Sequence, residues 1–123
     1  MKVDDIRVFI PSKDYQVSQT FYQAMGFKME FVTDDLSLFT NGDCTFFLTR
    51  LYNKEFATNL MFQLAVLDID EAFETISALQ SNCLKEGIEL DIKYEPIKTE
   101  HWGKVVYLWG PSGELWHVTQ FAL

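Results

Sequence analysis

The sequence predicts an α+β fold of two βαβββ modules, in which a curved mixed sheet surrounds a cavity and the helices cover its outer face. The basis is an internal repeat, because the order strand, helix and three strands occurs twice within 123 residues. Apolar alternation marks the strands, and apolar residues at helical spacing mark the helices. The length suits one domain, residues 1–123, which the repeat divides into a first module, 1–55, and a second module, 56–123.

The first module begins with Ile6, Val8 and Ile10, which alternate along a strand and are expected to pack on the helices. Asp14 is the predicted N-cap of the next helix, and Gly26 ends that helix. Three further strands are predicted at 27–33, 36–40 and 44–51, and a polar linker at 52–59.

The second module repeats this order. Alternating apolar residues predict a strand over 60–66. Asp68 with Glu71 has the pattern of a capping box, and the amphipathic helix that follows is predicted to run to Gly87. The last three strands are predicted at 88–94, 105–109 and 114–121.

The composition is that of a packed globular protein, with 48% apolar and 15% aromatic residues. A net charge of −8 argues against nucleic acid and anionic membrane as partners, since both need a basic surface. The two cysteines form no CxxC pair or Cys/His cluster, which favours reduced thiols. The acidic N-terminus does not have the pattern of a signal peptide, and no apolar run is long enough for a membrane span. We therefore expect a cytoplasmic protein.

The odd positions of the two leading strands face away from the helices. They include Arg7, Phe9, Met61, Gln63 and Ala65. Open solvent does not suit the apolar members, and a dry core does not suit the polar ones. A partly wet cavity lined with rings fits the mixture better than either.

Two motifs resemble the vicinal oxygen chelate superfamily, which includes glyoxalase I, extradiol dioxygenases, fosfomycin resistance enzymes and bleomycin resistance proteins. One is Asp14-x-x-x-Ser18-x-x-Phe21-Tyr22-x-x-x-Gly26-Phe27, and the other is the segment Gly-Pro-Ser-Gly-Glu-Leu-Trp-His at 110–117. The resemblance covers nearly the whole chain. It implies a homodimer with two equivalent cavities, and it leaves open whether one chain or two chains form each cavity.

The superfamily places metal ligands at four strand positions, which the resemblance assigns here to Arg7, Phe47, Met61 and His117. Only His117 could bind a divalent metal, and a single imidazole does not make a metal site. The resemblance therefore implies a cavity with no metal and no cofactor. In this respect the chain resembles the superfamily members that bind a ligand without transforming it.

The predicted function is the binding of a small aromatic or anionic molecule. The predicted ligand-binding residues are Arg7, Phe9, Phe47, Met61, Gln63, Trp102 and His117. The sequence leaves open the charge of the ligand and whether the protein catalyses a reaction. The net charge of −8 would permit a cationic ligand, whereas Arg7 favours an anionic one. The alternative function is a lyase, isomerase or transferase with His117 as general base and Arg7 as anion clamp.

Other side chains are not expected to belong to the ligand-binding site. Trp116 lies on the opposite parity from His117, which indicates a core position. Glu95, Glu100 and Glu114 are expected to be solvated.

Overall fold

A computed structural model describes residues 1–122 of the chain. The strands are β1 (Phe9–Pro11), β2 (Lys28–Thr33), β3 (Leu36–Asn41), β4 (Cys44–Thr49), β5 (Met61–Ala65), β6 (Lys93–Tyr94), β7 (Lys98–Glu100), β8 (Gly103–Trp109) and β9 (Leu115–Phe121). The helices are α1 (Tyr15–Ala24), α2 (Lys54–Thr58), α3 (Ile69–Ser77) and α4 (Leu79–Lys85). In this range no helix combines the length and apolar character that crossing a bilayer requires.

The helix ends follow the local sequence. The Asp14 carboxylate accepts a hydrogen bond from the backbone N–H of Val17 and so caps α1, and the Asp68 carboxylate caps α3 through the N–H groups of Asp70 and Glu71. Gly26 has a φ of 106°, the left-handed conformation that commonly ends a helix. These local signals position both long helical segments against the strands of their modules.

Each module forms its own sheet with the same topology. Sheet one has the order β1-β4-β3-β2, and sheet two has the order β5-β9-β8-β6, with β7 also paired to β8. In each sheet the first strand runs parallel to the last strand of its module, and the other pairs are antiparallel. The α+β class and the repeated βαβββ topology are confirmed.

One hydrophobic core joins the two modules. It contains the even positions of the leading strands, such as Ile10 and Leu64, together with the buried sides of the helices. Phe46 of sheet one and Trp116 of sheet two meet in this core, with ring centroids 6.0 Å apart. The helix-covered faces of both sheets therefore contribute to the same interior. Because side chains alternate across a strand, the opposite faces point away from it.

The N-terminal strand differs from its prediction. Strand β1 begins only at Phe9, and Ile6 and Val8 are 86% and 46% exposed rather than packed on helices. The shared core reaches no further toward the N-terminus than Ile10. The prediction that Ile6 and Val8 pack on the helices is therefore wrong, because the strand that would place them there begins only at Phe9.

Three other boundaries also differ from the predictions. The predicted linker contains α2, which Asn53 caps through the N–H of Phe56. The predicted single helix of the second module is two helices, because the backbone turns at Ala78 between α3 and α4. The predicted strand at 88–94 shortens to β6, since only its last two residues pair with β8.

Candidate functional site

The outward face of sheet two carries a row of polar side chains centred on His117. Gln63 of β5 and Tyr107 of β8 are its partners on the two neighbouring strands. The Tyr107 ring meets the imidazole edge to face, with centroids 4.9 Å apart and an interplanar angle of 85°. This packing holds the imidazole between two strands of a rigid sheet.

The His117 side chain has an unmet hydrogen-bonding group. Its Nε2 atom is buried and has no hydrogen-bond partner, and within residues 1–122 it is the only buried side-chain nitrogen or oxygen in that state. Leaving such an atom unsatisfied costs about 1–3 kcal/mol. No group within residues 1–122 completes the hydrogen bond of this nitrogen.

An apolar row lies next to this polar one. Met61 of β5 pairs with Leu115 of β9, which pairs in turn with Trp109 of β8. The Met61 side chain is 63% exposed although it belongs to a strand. Sheet two thus presents a polar row beside an apolar wall on its outward face.

The outward face of sheet one is aromatic. Phe9 of β1 pairs with Phe47 of β4, and their rings stack with centroids 4.9 Å apart. The Arg7 guanidinium lies over the Phe47 ring, 5.8 Å from its centroid. The structure thus places Phe47 beside Phe9 and Arg7 on the outward face of sheet one.

Arg7 already has an acidic neighbour. Its Nε–H contacts the Asp5 carboxylate at 3.3 Å and the Thr45 hydroxyl at 3.2 Å. Both contacts use Nε, and the planar guanidinium also carries two terminal amino groups that can bind a carboxylate or phosphate in parallel. The Asp5 carboxylate lowers the net positive charge of this corner of the site.

A single chain does not bring the two groups of residues together. Arg7, Phe9 and Phe47 lie on the outward face of sheet one, and Met61, Gln63 and His117 lie on that of sheet two. The helix sides of both sheets share the interior, so these two faces look outward from it. Trp102 packs on Phe121, centroids 6.4 Å apart, at the end of sheet two that lies four residues along β9 from His117.

Metal ligands are sparse at these positions. Among the residues that the structure describes, no group of three or more His, Cys, Asp or Glu side chains could hold a metal ion. Of the four positions that the resemblance assigned to ligands, three carry a guanidinium, a phenyl ring and a thioether. These groups do not suit a hard or borderline divalent cation.

A second polar cluster lies inside the core, and the sequence did not reveal it. Glu114 was expected to be solvated, and that expectation was wrong, because its side chain is 0% exposed. Its carboxylate accepts hydrogen bonds from the Tyr22 hydroxyl at 2.6 Å and from the Ser112 N–H at 2.9 Å. The indole N–H of Trp116 donates to the Tyr22 hydroxyl at 3.1 Å. Turn residues are usually exposed, so the position of Glu114 beside Gly113 gave no hint of burial.

This network joins the modules and shifts the protonation of its members. Burial raises the pKa of the Glu114 carboxyl, and the hydrogen bonds from Tyr22 and Ser112 oppose that rise. Burial and the neighbouring carboxylate raise the pKa of Tyr22 well above its ordinary value. Trp116 lies in the core, as its parity predicted.

Sequence reasoning also missed Tyr107. Its position opposite His117 follows from the pairing of β8 with β9, which single-strand alternation does not specify. The signal that could have found it is the shared parity of Val105, Tyr107 and Trp109 along one predicted strand.

Comparison with known proteins identifies the fold. No family profile and no curated protein sequence matches the chain. A bleomycin-binding protein from Streptomyces verticillus, solved with copper(II)-bleomycin, matches with a TM-score of 0.75 and 18% identity over 99% of both chains. The fosfomycin resistance protein FosX of Listeria monocytogenes matches with a TM-score of 0.74 and 15% identity, over 100% of this chain and 97% of FosX.

A third match is a glyoxalase/bleomycin resistance protein/dioxygenase from Nocardioides, with a TM-score of 0.70 and 17% identity over 98% of this chain and 85% of that one. At these identities the likeness establishes the fold. It is the fold that the resemblance to the vicinal oxygen chelate superfamily implied.

Proposed function

We propose that the protein binds a small aromatic or anionic molecule in a metal-free cavity formed between two copies of the chain. In this homodimer, the outward face of sheet one in one protomer faces the outward face of sheet two in its partner. The cavity then combines the Phe9–Phe47 stack and Arg7 with Met61 and His117. The observation that carries the proposal is the buried, unpartnered Nε2 of His117.

A buried polar atom that the protein leaves unsatisfied destabilises the fold, unless another molecule completes its hydrogen bond. The surrounding side chains fit an organic ligand, since Met61 and Phe9 offer apolar contact and Gln63 offers an amide. Arg7 adds a fixed positive charge that favours a carboxylate or phosphate.

The dimer follows from the exposed faces. Phe9 is 54% exposed and Met61 63% exposed, and both lie on strands with nothing packed over them. Contiguous apolar faces of this kind usually mark a binding or association surface. A two-fold arrangement places both faces of each chain opposite a partner and creates two equivalent cavities. Both thiols, on Cys44 and Cys83, are free, which agrees with a working place in the reducing cytoplasm.

The test uses a matched pair of variants, because the chain has only two histidines. His117→Phe keeps a ring of similar size but removes Nε2, and His101→Phe changes an exposed loop histidine. Benzoate, salicylate and bleomycin serve as probes, and binding is followed by the NMR shifts of the Gln63 side-chain amide. We expect His117→Phe to weaken binding of the responding probe by about 10-fold or more, and His101→Phe to leave it unchanged.

A stability measurement separates binding from a structural role. Removal of an unsatisfied buried nitrogen is expected to stabilise the ligand-free protein by about 1 kcal/mol. The His117→Phe variant should therefore bind the probe more weakly and unfold at a higher denaturant concentration than the wild type. A destabilised His117→Phe would mean that the nitrogen has a structural partner. The absence of any shift at Gln63 with all three probes would contradict the ligand class. Stoichiometric iron, nickel, zinc or manganese bound at His117 would contradict the metal-free cavity.

An enzymatic role is the second candidate, and the same nitrogen favours it. A held imidazole with a free nitrogen can remove a proton from a bound molecule, while Arg7 stabilises the developing negative charge. Such a protein would be a lyase, isomerase or transferase. It predicts exchange of a substrate C–H proton with deuterated water that His117→Phe abolishes and His101→Phe preserves. Binding without exchange would leave sequestration as the function.

A further inference from the structure

A separate groove of about 270 Å³ lies where the modules meet, beside the closing turn at 110–113. Lys13, Lys54 and Lys93 line it, together with the ring of Trp109. Asp91 is the one acidic side chain among the lining residues, which gives the groove a local charge of +2. The whole chain has ten basic residues and a net charge of −8, so three lysines in one groove are a marked exception to its acidic surface.

Contacts to the closing segment fix the backbone at Lys13, the start of the helix that carries Lys54, and the side chain of Lys93. The backbone N–H of Lys13 donates to the Ser112 hydroxyl at 2.8 Å. Lys93 is the strand partner of Trp109, and its Nζ lies 4.6 Å from the centroid of the indole ring. Lys54 begins α2, whose Thr58 packs against Gly113 so closely that a Cβ there would lie 2.9 Å from the Thr58 methyl group. Three distant parts of the sequence are thus fixed around one turn.

The lysines of the groove form no ion pair within residues 1–122. The ion pairs found within residues 1–122 join Arg7 to Asp5, Arg50 to Asp35 and Lys98 to Glu100, and none involves a lysine of the groove. Like charges brought together repel one another, and a bound anion relieves that repulsion. Lysine ammonium groups bind phosphate as point charges.

We propose that this groove is a binding site for a small phosphate monoester. A phosphate monoester carries about −1.5 to −2 charges near neutral pH, which matches the local charge of +2 better than a monocarboxylate does. Lys13, Lys54 and Lys93 contact the phosphate, and Trp109 orients Lys93 and bounds the organic part. The site shares no residue with the set proposed around Arg7 and His117 and does not depend on that proposal.

The experiment is a titration with phenyl phosphate, with inorganic phosphate and phenol as separate arms, at constant ionic strength because exposed ion pairs are screened by salt. The indole N–H resonance of Trp109 reports binding. We expect phenyl phosphate to bind with a dissociation constant on the order of 1 mM or tighter. Inorganic phosphate should bind more weakly, and phenol should not shift Trp109.

Two triple variants test the assignment. The first changes Lys13, Lys54 and Lys93 to Met, and the second changes the exposed Lys28, Lys85 and Lys104 to Met. Both lower the net charge equally, so a long-range charge effect would weaken both alike. We expect the groove variant to lose about 30-fold in affinity, roughly three-fold per lysine, and the control variant to change less than about two-fold.

Two results would contradict the proposed phosphate site. Equal losses in both triple variants would show an effect of net charge rather than a site. No shift of Trp109 with about 20 mM phenyl phosphate would overturn the proposal. His117→Phe should leave the Trp109 titration unchanged, so failure of the proposed cavity and failure of this groove remain distinguishable.

Discussion

Tyr22→Phe tests whether the buried polar network stabilises the junction between the modules. The Tyr22 ring is fully buried and packs edge to face on Phe21, Phe39 and Phe46. Phenylalanine keeps all of these ring contacts. The substitution therefore removes only the hydroxyl, which donates to Glu114 and accepts from Trp116.

The expected loss follows from the two hydrogen bonds. The bond to the buried carboxyl of Glu114 is worth about 1.5–3 kcal/mol, and orphaning the Trp116 indole N–H adds at least about 1 kcal/mol. We therefore expect Tyr22→Phe to lower the free energy of unfolding by about 2.5–4 kcal/mol. That is a large part of the roughly 5–15 kcal/mol typical of a domain.

The assay is urea denaturation at neutral pH, with the slope m unchanged because the same surface is exposed on unfolding. Tyr94→Phe is the control, since the half-buried Tyr94 ring packs on Phe73 away from the network. A double-mutant cycle with Glu114→Leu should give a coupling of about 1.5 kcal/mol or more. Additivity within about 0.5 kcal/mol would refute the inferred bond between Tyr22 and Glu114.

Three further predictions concern the turn, the titration and the assembly. Gly110→Ala should destabilise the protein by about 1–3 kcal/mol in urea denaturation, because the new Cβ would lie 2.6 Å from the Glu114 carboxyl, although the φ of Gly110 is not positive. Relative to a Glu114→Gln variant, the free energy of unfolding of the wild type should fall as pH rises above 4.5. The folded protein keeps the Glu114 proton to a higher pH than the unfolded chain does, because burial raises the pKa of this carboxyl. A difference between the two proteins that stays constant with pH would contradict the raised pKa. Met61→Glu should change the sedimentation coefficient from that of a dimer to that of a monomer. Leu84→Glu, at an exposed position of α4, should leave the dimer intact. A monomeric wild type would contradict the proposed dimer.

The local structure was predictable where a residue acts through its own neighbours. Asp14 and Gly26 mark the two ends of α1 because capping and the left-handed conformation depend on only a few adjacent residues. The repeat of the topology was predictable for a similar reason, since alternation identifies strands one at a time. Ile6 and Val8 have the same alternation but are exposed, because periodicity defines a face and not the partner that covers it.

The candidate site was predictable only in its residue types. Phe47 and His117 lie in strands β4 and β9, and Arg7 precedes β1 and places its guanidinium over the Phe47 ring. Their separation on two outward faces depends instead on long-range contacts such as that between Phe46 and Trp116, which close the shared core and which no short pattern encodes.

The arrangement of the sheets also constrains how the protein could work. Within residues 1–122 the helix-covered faces of both sheets pack into one shared core, so that interior is already filled by side chains. If His117 and Phe9 act on the same molecule, the opposing face must come from another chain. Ligand affinity and dimer affinity are then linked, since dimerisation completes the cavity and a ligand in that cavity contacts both chains. The proposed dimer would join the exposed apolar strands of two chains into one binding site, in which a ligand would complete the hydrogen bond that His117 Nε2 lacks within residues 1–122.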